Sequence, residues 1–335
     1  MKILFIRLSS IGDIVLTTPL YRCVRQQLPD AEIHVLTKAA FRDVLVANPY
    51  IDKIHTFEGE IGTVIPLLQE EKFDYVADLH HNLRTLKVKK SLGVKETHSF
   101  PKKNIEKWIL ANLRVNLMPA ESIVARYFET LRPLGVRNDG KGLDYFIPEK
   151  EKTRPDDLPF GHWAGFVGCV IGGSYETKKF PVEKWVALCR ELPYPVVLLG
   201  GKEDRAAGEL IAAADSGKIY NACGKFTLNE SADLVQRSRV IVSNDTGLMH
   251  VAAAFGKPVV SLWGNTSPEF GMFPYYGYNN LTDRVAPQSV IVERKDLGCH
   301  PCSKLGYSRC PRGHFKCMNT LDTAEIAAAI AQKWH

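Results

Sequence analysis

Hydrophobic residues along this chain form short apolar runs that alternate with segments of helical periodicity. In the first part of the chain, the short runs predict strands at 2–8, 33–36, 53–57 and 74–79. The segments between and after them predict helices at 13–28, 41–47, 64–71, 105–113 and 123–134. Pro19 falls inside the first helix and predicts a kink there. Because strands alternate with helices, the order predicts a parallel sheet with helices on both faces.

A polar, proline-bearing segment at 148–159 interrupts this pattern and has few residues suited to a core. The pattern then starts again, with strands predicted at 166–171, 196–199, 218–221, 240–242 and 258–264 and helices at 182–192, 205–214, 229–236 and 323–333. We therefore predict two doubly wound, Rossmann-like α/β domains, at 1–158 and 159–320, that face each other across a central cleft. Residues 321–335 are predicted to form a helix that packs back on the first domain.

The 335 residues have the composition of a soluble globular protein, with 45% hydrophobic and 24% charged residues. No apolar run approaches the ~20 residues that cross a bilayer, and Arg7 interrupts the apolar amino terminus without a small-residue cleavage site. We therefore expect a cytoplasmic protein. The net charge of +6 favours an anionic membrane surface or a phosphorylated substrate over nucleic acid, because the basic residues lack an aromatic-interleaved recognition motif.

The positive charge is unevenly distributed, and one stretch beside Trp108 contains Lys87, Lys89, Lys90, Lys95, Lys102, Lys103 and Lys107. Such a stretch is either an ordinary solvated face or a docking patch for an anionic membrane surface. The sequence leaves both interpretations open.

The segment Ser243–His250 lies between two apolar runs and predicts a tight polar turn that leads from a strand into a helix. Ligands of α/β sheets bind where strands end and helices begin. Asp245 and Thr246 are predicted to cap the helix, whose free amide groups suit a phosphate, and Gly247 permits close approach of the backbone. His250 lies one turn further on the same face. The alternative interpretation is a capped helix with a core histidine.

Two polar turns of the first domain also follow predicted strands. Gly12 permits a sharp turn after the first strand, and Asp13 then either acts as a base or only caps the following helix. His80 follows a later strand, with Arg84 one turn further on. This pair either holds acid or phosphate groups of a substrate or forms a surface cluster.

Two turns of the second domain carry candidate ligands for a nucleotide. Ser174 follows two glycines, and Lys178 comes four residues later, a pattern that suits a diphosphate and also occurs in ordinary turns with solvated lysines. Glu203 and Asp204 follow the next strand and either hold ribose hydroxyl groups or cap a helix.

Four late cysteines have the spacing C-x2-C-x7-C-x6-C, and their residues are Cys299, Cys302, Cys310 and Cys317. In a cytoplasmic protein, this spacing indicates a structural zinc site more readily than disulfide bonds. Free thiols in a compact loop are the alternative, because the second pair is not C-x2-C.

Three of these segments resemble one family. Residues 2–15 resemble the opening of the lipopolysaccharide heptosyltransferases, glycosyltransferase family 9, and Ser243–His250 resembles the donor-site signature of that family. Lys178–Pro181 and Trp185 are similar to its phosphate-binding segment. The order of the three segments also agrees, and the resemblance spans nearly the whole chain. The cysteine cluster resembles one found in some members only.

The resemblance implies a GT-B fold, with the acceptor in the first domain and the nucleotide sugar in the second. It implies an inverting transfer, without a metal cofactor, of heptose from ADP-L-glycero-D-manno-heptose to the Kdo or heptose residues of the lipopolysaccharide inner core. Asp13 would be the general base, and Lys178 would neutralise the departing diphosphate. The other implied donor contacts are Ser174, Asp245, Thr246, Gly247 and His250, with Glu203 or Asp204 at the ribose. The candidate acceptor contacts are Ser10, Gly12, His80 and Arg84.

Two other functions stay open at this point. The first keeps the fold and mechanism but uses a different nucleotide-sugar donor or glycan acceptor, because sugar pockets are built from scattered side chains. The second is a non-catalytic nucleotide- or metal-binding protein that uses the cysteine segment as a partner surface. The presence of both Asp13 and the donor turn argues against the second.

Overall fold

The computed structural model describes residues 1–277 and 288–334, and it contains two parallel β-sheets. The first sheet has the order β3-β2-β1-β4-β5, with strands β1 Lys2–Ile6, β2 Glu32–Lys38, β3 Lys53–Phe57, β4 Tyr75–Asp78 and β5 Glu96–Ser99. The second has the order β11-β10-β9-β6-β7-β8, with strands β6 Val167–Val170, β7 Val196–Leu199, β8 Ile219–Asn221, β9 Val240–Asn244, β10 Val259–Trp263 and β11 Ser289–Glu293.

Helices connect most of the successive strands. Those of the first half are α1 Ile11–Val15, α2 Thr18–Gln27, α3 Ile65–Glu70, α4 Leu83–Leu92, α5 Asn104–Leu113 and α6 Ile123–Phe128. Those of the second half are α7 Val182–Glu191, α8 Arg205–Ala212, α9 Leu228–Arg237, α10 Gly247–Ala254, α11 Lys316–Asn319 and α12 Thr323–Lys333. Within the described ranges, no helix combines the length and the apolar character needed to span a bilayer.

The central strands are buried along their whole length, and this explains why they appear in the sequence as continuous apolar runs. Every residue of β9 and β10 is buried, as expected for a parallel sheet that is covered by helices on both faces. The two-domain α/β prediction is therefore confirmed at the level of the fold. The boundary at residue 158 stays a prediction, and the predicted second domain includes residues 278–287, which lie outside the described part.

The predicted kink at Pro19 is a complete break between two helices. Helix α1 ends at Val15, and Pro19 lies in the first turn of α2. A proline fits that position because the first amide groups of a helix have no partner within it. The elements α4, β5, β11 and α11 were not predicted, because their short or lysine-rich sequences lack a clear apolar period.

The prediction for the last helix is wrong. Helix α12 contributes Ile326, Ala329 and Ile330 to the core that surrounds the second sheet, and the Thr323 hydroxyl donates to Glu191 of α7 at 3.0 Å. It therefore packs on the second domain and not on the first. The reason is that its apolar face covers strands β9 and β10, which would otherwise expose one side to water.

In each sheet the chain runs outward in both directions from a central pair of strands, which are β1 and β4 in the first sheet and β6 and β9 in the second. At such a switch point the loops at the carboxyl ends of two adjacent strands diverge and leave a crevice. The turns that contain Asp13, His80, Ser174 and Asp245 follow these four strands. The topology therefore directs the four predicted turns to two crevices.

Candidate active site

A cavity of about 580 Å³ is lined by residues of both sheets' crevices. From the first half of the chain it receives Ser10, Gly12, Asp13 and His80, and from the second half Ser174, Lys178, Asp245, Thr246, Gly247 and His250. The structure thus brings ten of the predicted site residues to one place, although they are separated by up to 240 positions.

Asp13 lies on α1 at the floor of this cavity, and its side chain is 22% exposed. The Arg7 guanidinium forms an ion pair with one carboxylate oxygen. The Ser10 hydroxyl donates to the other oxygen at 2.8 Å, and the Ser10 amide donates to it at 3.3 Å. The carboxylate is therefore fixed in orientation and keeps an edge towards the cavity.

Burial alone would raise the pKa of Asp13, but the charge of Arg7 and the hydrogen bonds from Ser10 outweigh it and lower the pKa. Asp13 is therefore ionised at neutral pH. An ionised carboxylate in a partly dry cavity can accept a proton from a substrate hydroxyl group.

On the opposite side of the cavity, Lys178 and Asp245 form an ion pair at 2.6 Å, and the Thr266 hydroxyl donates to the same carboxylate oxygen at 2.8 Å. The prediction that Asp245 and Thr246 cap α10 is wrong as far as their side chains are concerned. Thr246 occupies the capping position, but its side chain makes no capping hydrogen bond, and Asp245 faces the lysine. The first amide groups of α10 consequently lie at the cavity without a side-chain cap.

Gly12 and Gly247 have a role that the sequence did not show, because α1 and α10 approach each other at these residues. A Cβ atom on Gly12 would lie 2.6 Å from Cδ2 of His250 and 3.3 Å from Cα of Gly247. A Cβ atom on Gly247 would lie 2.9 Å from Cβ of Ile11. Contacts this short leave no room for a side chain, so the two glycines permit the first helices of the two crevices to meet.

His250 lies at this contact and is 2% exposed. Burial lowers its pKa to about 4, while the charges of Asp245 and Asp13 act in the opposite direction. It is therefore neutral at pH 7, and its Nδ1 atom has no hydrogen-bond partner among the described residues. His250 lines the same cavity as Asp13 of the first half and Lys178 of the second.

His80 also lines the cavity, and burial lowers its pKa to about 4 as well. Arg84, in contrast, is exposed on α4 and is not among the residues that line the cavity, so its role as an acceptor contact stays a prediction. His80 precedes α4, whereas Arg84 is the second residue of this helix.

Neither Glu203 nor Asp204 is among the residues that line the cavity, so a contact of either with the ribose stays a prediction. Glu203 is exposed, whereas Asp204 is 4% exposed and accepts a hydrogen bond from the Gly201 amide at 3.0 Å. Asp204 also pairs with Lys179 at 3.2 Å. The predicted alternative, in which the residue caps a helix, therefore holds for Asp204.

Three lysines of the cavity were missed as site residues, namely Lys102, Lys107 and Lys304. Burial, together with the charge of Arg126, lowers the pKa of Lys107 to about 7. Burial also lowers the pKa of Lys102. Lys102 and Lys107 were part of the basic stretch that the sequence marked, but nothing in the local pattern showed that they point inward.

The structure does not support the zinc prediction for the late cysteines. All four residues line a second cavity of about 250 Å³, and Cys299 Sγ lies 3.7 Å from His314 Nε2. In the described ranges, however, the only three ligand atoms within 4.8 Å of one another belong to His34, His55 and Glu71. A tetrahedral zinc site needs its ligands at about that spacing or closer, and the cysteine sulfurs do not converge in this way.

Two doubly wound domains with facing crevices define the GT-B class of glycosyltransferases. The sequence model described as glycosyltransferase family 9 (heptosyltransferase) matches residues 63–304, and the chain belongs to this family. Glycosyltransferase family 9 is a family of enzymes, and it agrees with the GT-B class that the fold defines.

Individual relatives are similar over most of the chain. Lipopolysaccharide heptosyltransferase 2 of Escherichia coli K12 is 27% identical over 295 residues, which cover 81% of this chain and 84% of the relative. The solved ADP-heptose lps heptosyltransferase II of E. coli superposes with a TM-score of 0.74 at 22% identity, covering 100% and 98% of the two chains. A family 9 glycosyltransferase of Veillonella parvula gives a TM-score of 0.78 at 22% identity, covering 99% and 97%.

Proposed function

We propose that this protein transfers heptose from ADP-L-glycero-D-manno-heptose to a Kdo or heptose residue of the lipopolysaccharide inner core, with inversion of the anomeric configuration. The observation that carries the proposal is that Asp13 of the first crevice and Lys178 of the second line the same cavity. The names of the relatives, which refer to lipopolysaccharide and to ADP-heptose, support the choice of substrates.

The donor diphosphate lies, in this proposal, against the first amide groups of α10, at Thr246 and Gly247. Those amides and the positive end of the helix favour an anion. The Ser174 hydroxyl supplies one more donor, and Lys178 supplies the charge. Asp245 does not bind the phosphate, since a carboxylate would repel it. Its function is to hold Lys178 in place together with Thr266.

Inversion requires one direct displacement. The acceptor hydroxyl oxygen forms a bond to the anomeric carbon while the bond between that carbon and the diphosphate oxygen breaks. The hydroxyl proton goes to the Asp13 carboxylate, and the electron pair leaves with ADP. Lys178 and the α10 amides stabilise the charge that collects on the diphosphate, so we propose that no divalent cation is needed. The neutral His250 lies at the contact between α1 and α10, where it accepts or donates a hydrogen bond without adding charge.

The acceptor lies on the side of the first domain, near Ser10 and His80. The three additional lysines, Lys102, Lys107 and Lys304, provide positive charge there. An acceptor that carries carboxylate or phosphate groups fits this charge. We propose that transfer takes place in the cytoplasm, at the inner face of the membrane that carries the growing lipopolysaccharide.

The test is Asp13→Asn, which keeps the shape of the side chain but cannot accept the proton. We expect kcat to fall by about 10²–10⁴-fold, the range typical for a general base. ADP affinity, measured by calorimetry, should stay close to that of the wild type, because Asp13 lies on the acceptor side. A variant with normal turnover would exclude Asp13 as the base, and a parallel loss of ADP affinity would indicate a structural role.

A further inference from the structure

The first domain exposes an unusual number of large apolar side chains in one part of the chain. Of the fifteen large hydrophobic residues that are exposed in the described ranges, seven lie between residues 83 and 117. They form what we call the α4–α5 patch: Leu83, Leu86, Ile105, Trp108, Leu113, Val115 and Leu117. Single exposed apolar residues are ordinary, but a concentration of this kind marks an interaction surface.

Helix α5 is amphipathic in the reverse sense of an ordinary surface helix. Ile105, Trp108 and Leu113 lie within one arc of the helix and are 74%, 58% and 59% exposed. The opposite side carries Lys107, which points into the active-site cavity, and Leu110, which packs against Phe270 of the second half. The apolar arc thus faces solvent, whereas Lys107 points into the cavity. This arrangement indicates that an apolar partner covers the arc.

The charges around the patch identify the partner. Arg84, Lys87 and Lys90 are exposed on α4, and none of them forms an ion pair with a residue in the described part of the chain. A second copy of the chain is disfavoured as the partner, because in a two-fold dimer these unpaired cations would face their own copies. An anionic lipid surface complements both the apolar side chains and the cations.

The position of the patch relative to the cavity supports the same partner. The loops that lead into α4 and α5 adjoin, because His81 Nδ1 lies 3.1 Å from the carbonyl oxygen of Phe100. His80 and Lys102 of these two loops both line the acceptor side of the cavity. The exposed Leu305 lines the same cavity from the second half of the chain. Nζ of the neighbouring Lys304 lies 3.5 Å from Oδ1 of Asn104, the first residue of α5. The two helices that carry the patch therefore begin beside the acceptor side of the cavity.

We infer that the α4–α5 patch docks onto an anionic bilayer, with Trp108, Ile105 and Leu113 inserted at the level of the headgroups and with Arg84, Lys87 and Lys90 on the lipid phosphates. This docking places the acceptor side of the cavity against the membrane. The link to an acceptor rests on the proposed function, whereas the docking itself can be measured without any transfer reaction.

The experiment is co-sedimentation of the full chain with vesicles of phosphatidylcholine alone and of phosphatidylcholine with phosphatidylglycerol. We expect the double variant Ile105→Ser with Trp108→Ser to bind both kinds of vesicle about tenfold or more weakly than the wild type, because two apolar anchors are lost. Lys87→Gln with Lys90→Gln should lower it by about tenfold on the anionic vesicles only, and added salt should have the same effect.

The matched control is Phe160→Ser with Leu210→Ser, which removes two equally exposed apolar residues outside the patch. It should bind vesicles like the wild type. Failure of the wild type to bind anionic vesicles, or an equal loss in the control, would overturn the inference. If Ile105→Ser with Trp108→Ser instead converts a dimer into a monomer in light scattering, the patch is an interface between two copies.

Transfer to a lipid-free acceptor saccharide separates this inference from the proposed function. If the patch variants lose vesicle binding but keep transfer to the free saccharide, both proposals stand. If the wild type binds vesicles but transfers no heptose, only the proposed function fails.

Discussion

Each reactive side chain of the cavity is held by a partner of opposite charge. Arg7 holds Asp13 on the acceptor side, and Asp245 holds Lys178 on the donor side. Both pairs are largely shielded from water, so their geometry is set before substrate binds and little reorganisation is needed during the reaction. In the first pair, the charge of Arg7 also favours the ionised form of Asp13 and so lowers the pKa of that carboxyl group.

The first prediction at this scale concerns the pH dependence of turnover. Arg7→Gln removes the guanidinium that lowers the pKa of Asp13 and leaves the burial that raises it. The pKa of Asp13 therefore rises, and the acid limb of kcat/KM should move to higher pH by about one to three units. Arg7→Lys keeps the charge and should shift the limb less. An unchanged limb in Arg7→Gln would show that Asp13 does not control the rate.

The second prediction concerns the two neighbouring lysines. Lys178→Ala should weaken the calorimetric affinity for ADP by about tenfold or more, since a charge-assisted contact with the diphosphate is lost. Lys179 is the control, because it pairs with Glu176 and Asp204 and does not line the cavity. Equal losses in Lys178→Ala and Lys179→Ala would contradict the assignment of the donor site.

At the scale of the elements, the site depends on how closely α1 and α10 approach. Both are short helices that start directly after a central strand, and each presents a glycine to the other. The approach places the amino end of α10, with its amide groups, beside the helix that carries Asp13. A larger residue at either glycine separates the base from the anion site.

Gly12→Ala tests this contact. Alanine favours a helix by about 1 kcal/mol over glycine, but overpacking a tight contact costs about 1–3 kcal/mol, so we expect a lower Tm and a fall in kcat. Gly161→Ala is the control, because a Cβ atom there has no neighbour within 4 Å. Normal kcat in Gly12→Ala would show that the helices tolerate separation.

At the scale of the whole molecule, two sheets of the same type each contribute half of a site. Neither crevice alone contains both Asp13 and the anion site formed by Lys178 and the first amide groups of α10, and only the juxtaposition of the two crevices brings them together. A ligand that spans the cavity therefore binds both halves and stabilises the native arrangement.

A screen of nucleotide sugars by thermal unfolding tests the choice of donor. A ligand at 100 times its Kd adds about 2.7 kcal/mol to the stability of the native state, which is a clear rise in Tm. We expect ADP-heptose to produce a larger rise than UDP- or GDP-sugars. A larger rise with another nucleotide sugar would favour the alternative in which the fold and mechanism are kept but the donor differs.

The sequence determined the alternation of strands and helices, the two-domain α/β class and the turns that carry Asp13, Lys178 and Asp245. These properties are local, because a buried parallel strand must be continuously apolar and a turn needs its own glycine or polar residue. The family resemblance is confirmed by the match over residues 63–304, which includes the segments of Lys178 and Asp245.

Only the tertiary structure decided which neighbours of these turns reach the cavity. Arg84 and Asp204 had plausible spacing, yet α4 exposes the first and a local cap takes up the second. Lys107 and Lys304 lacked a motif and still line the site, and the late cysteines had a metal-like spacing without converging. The direction of a side chain and its distance from residues far along the chain depend on helix packing across both sheets, which no local pattern encodes.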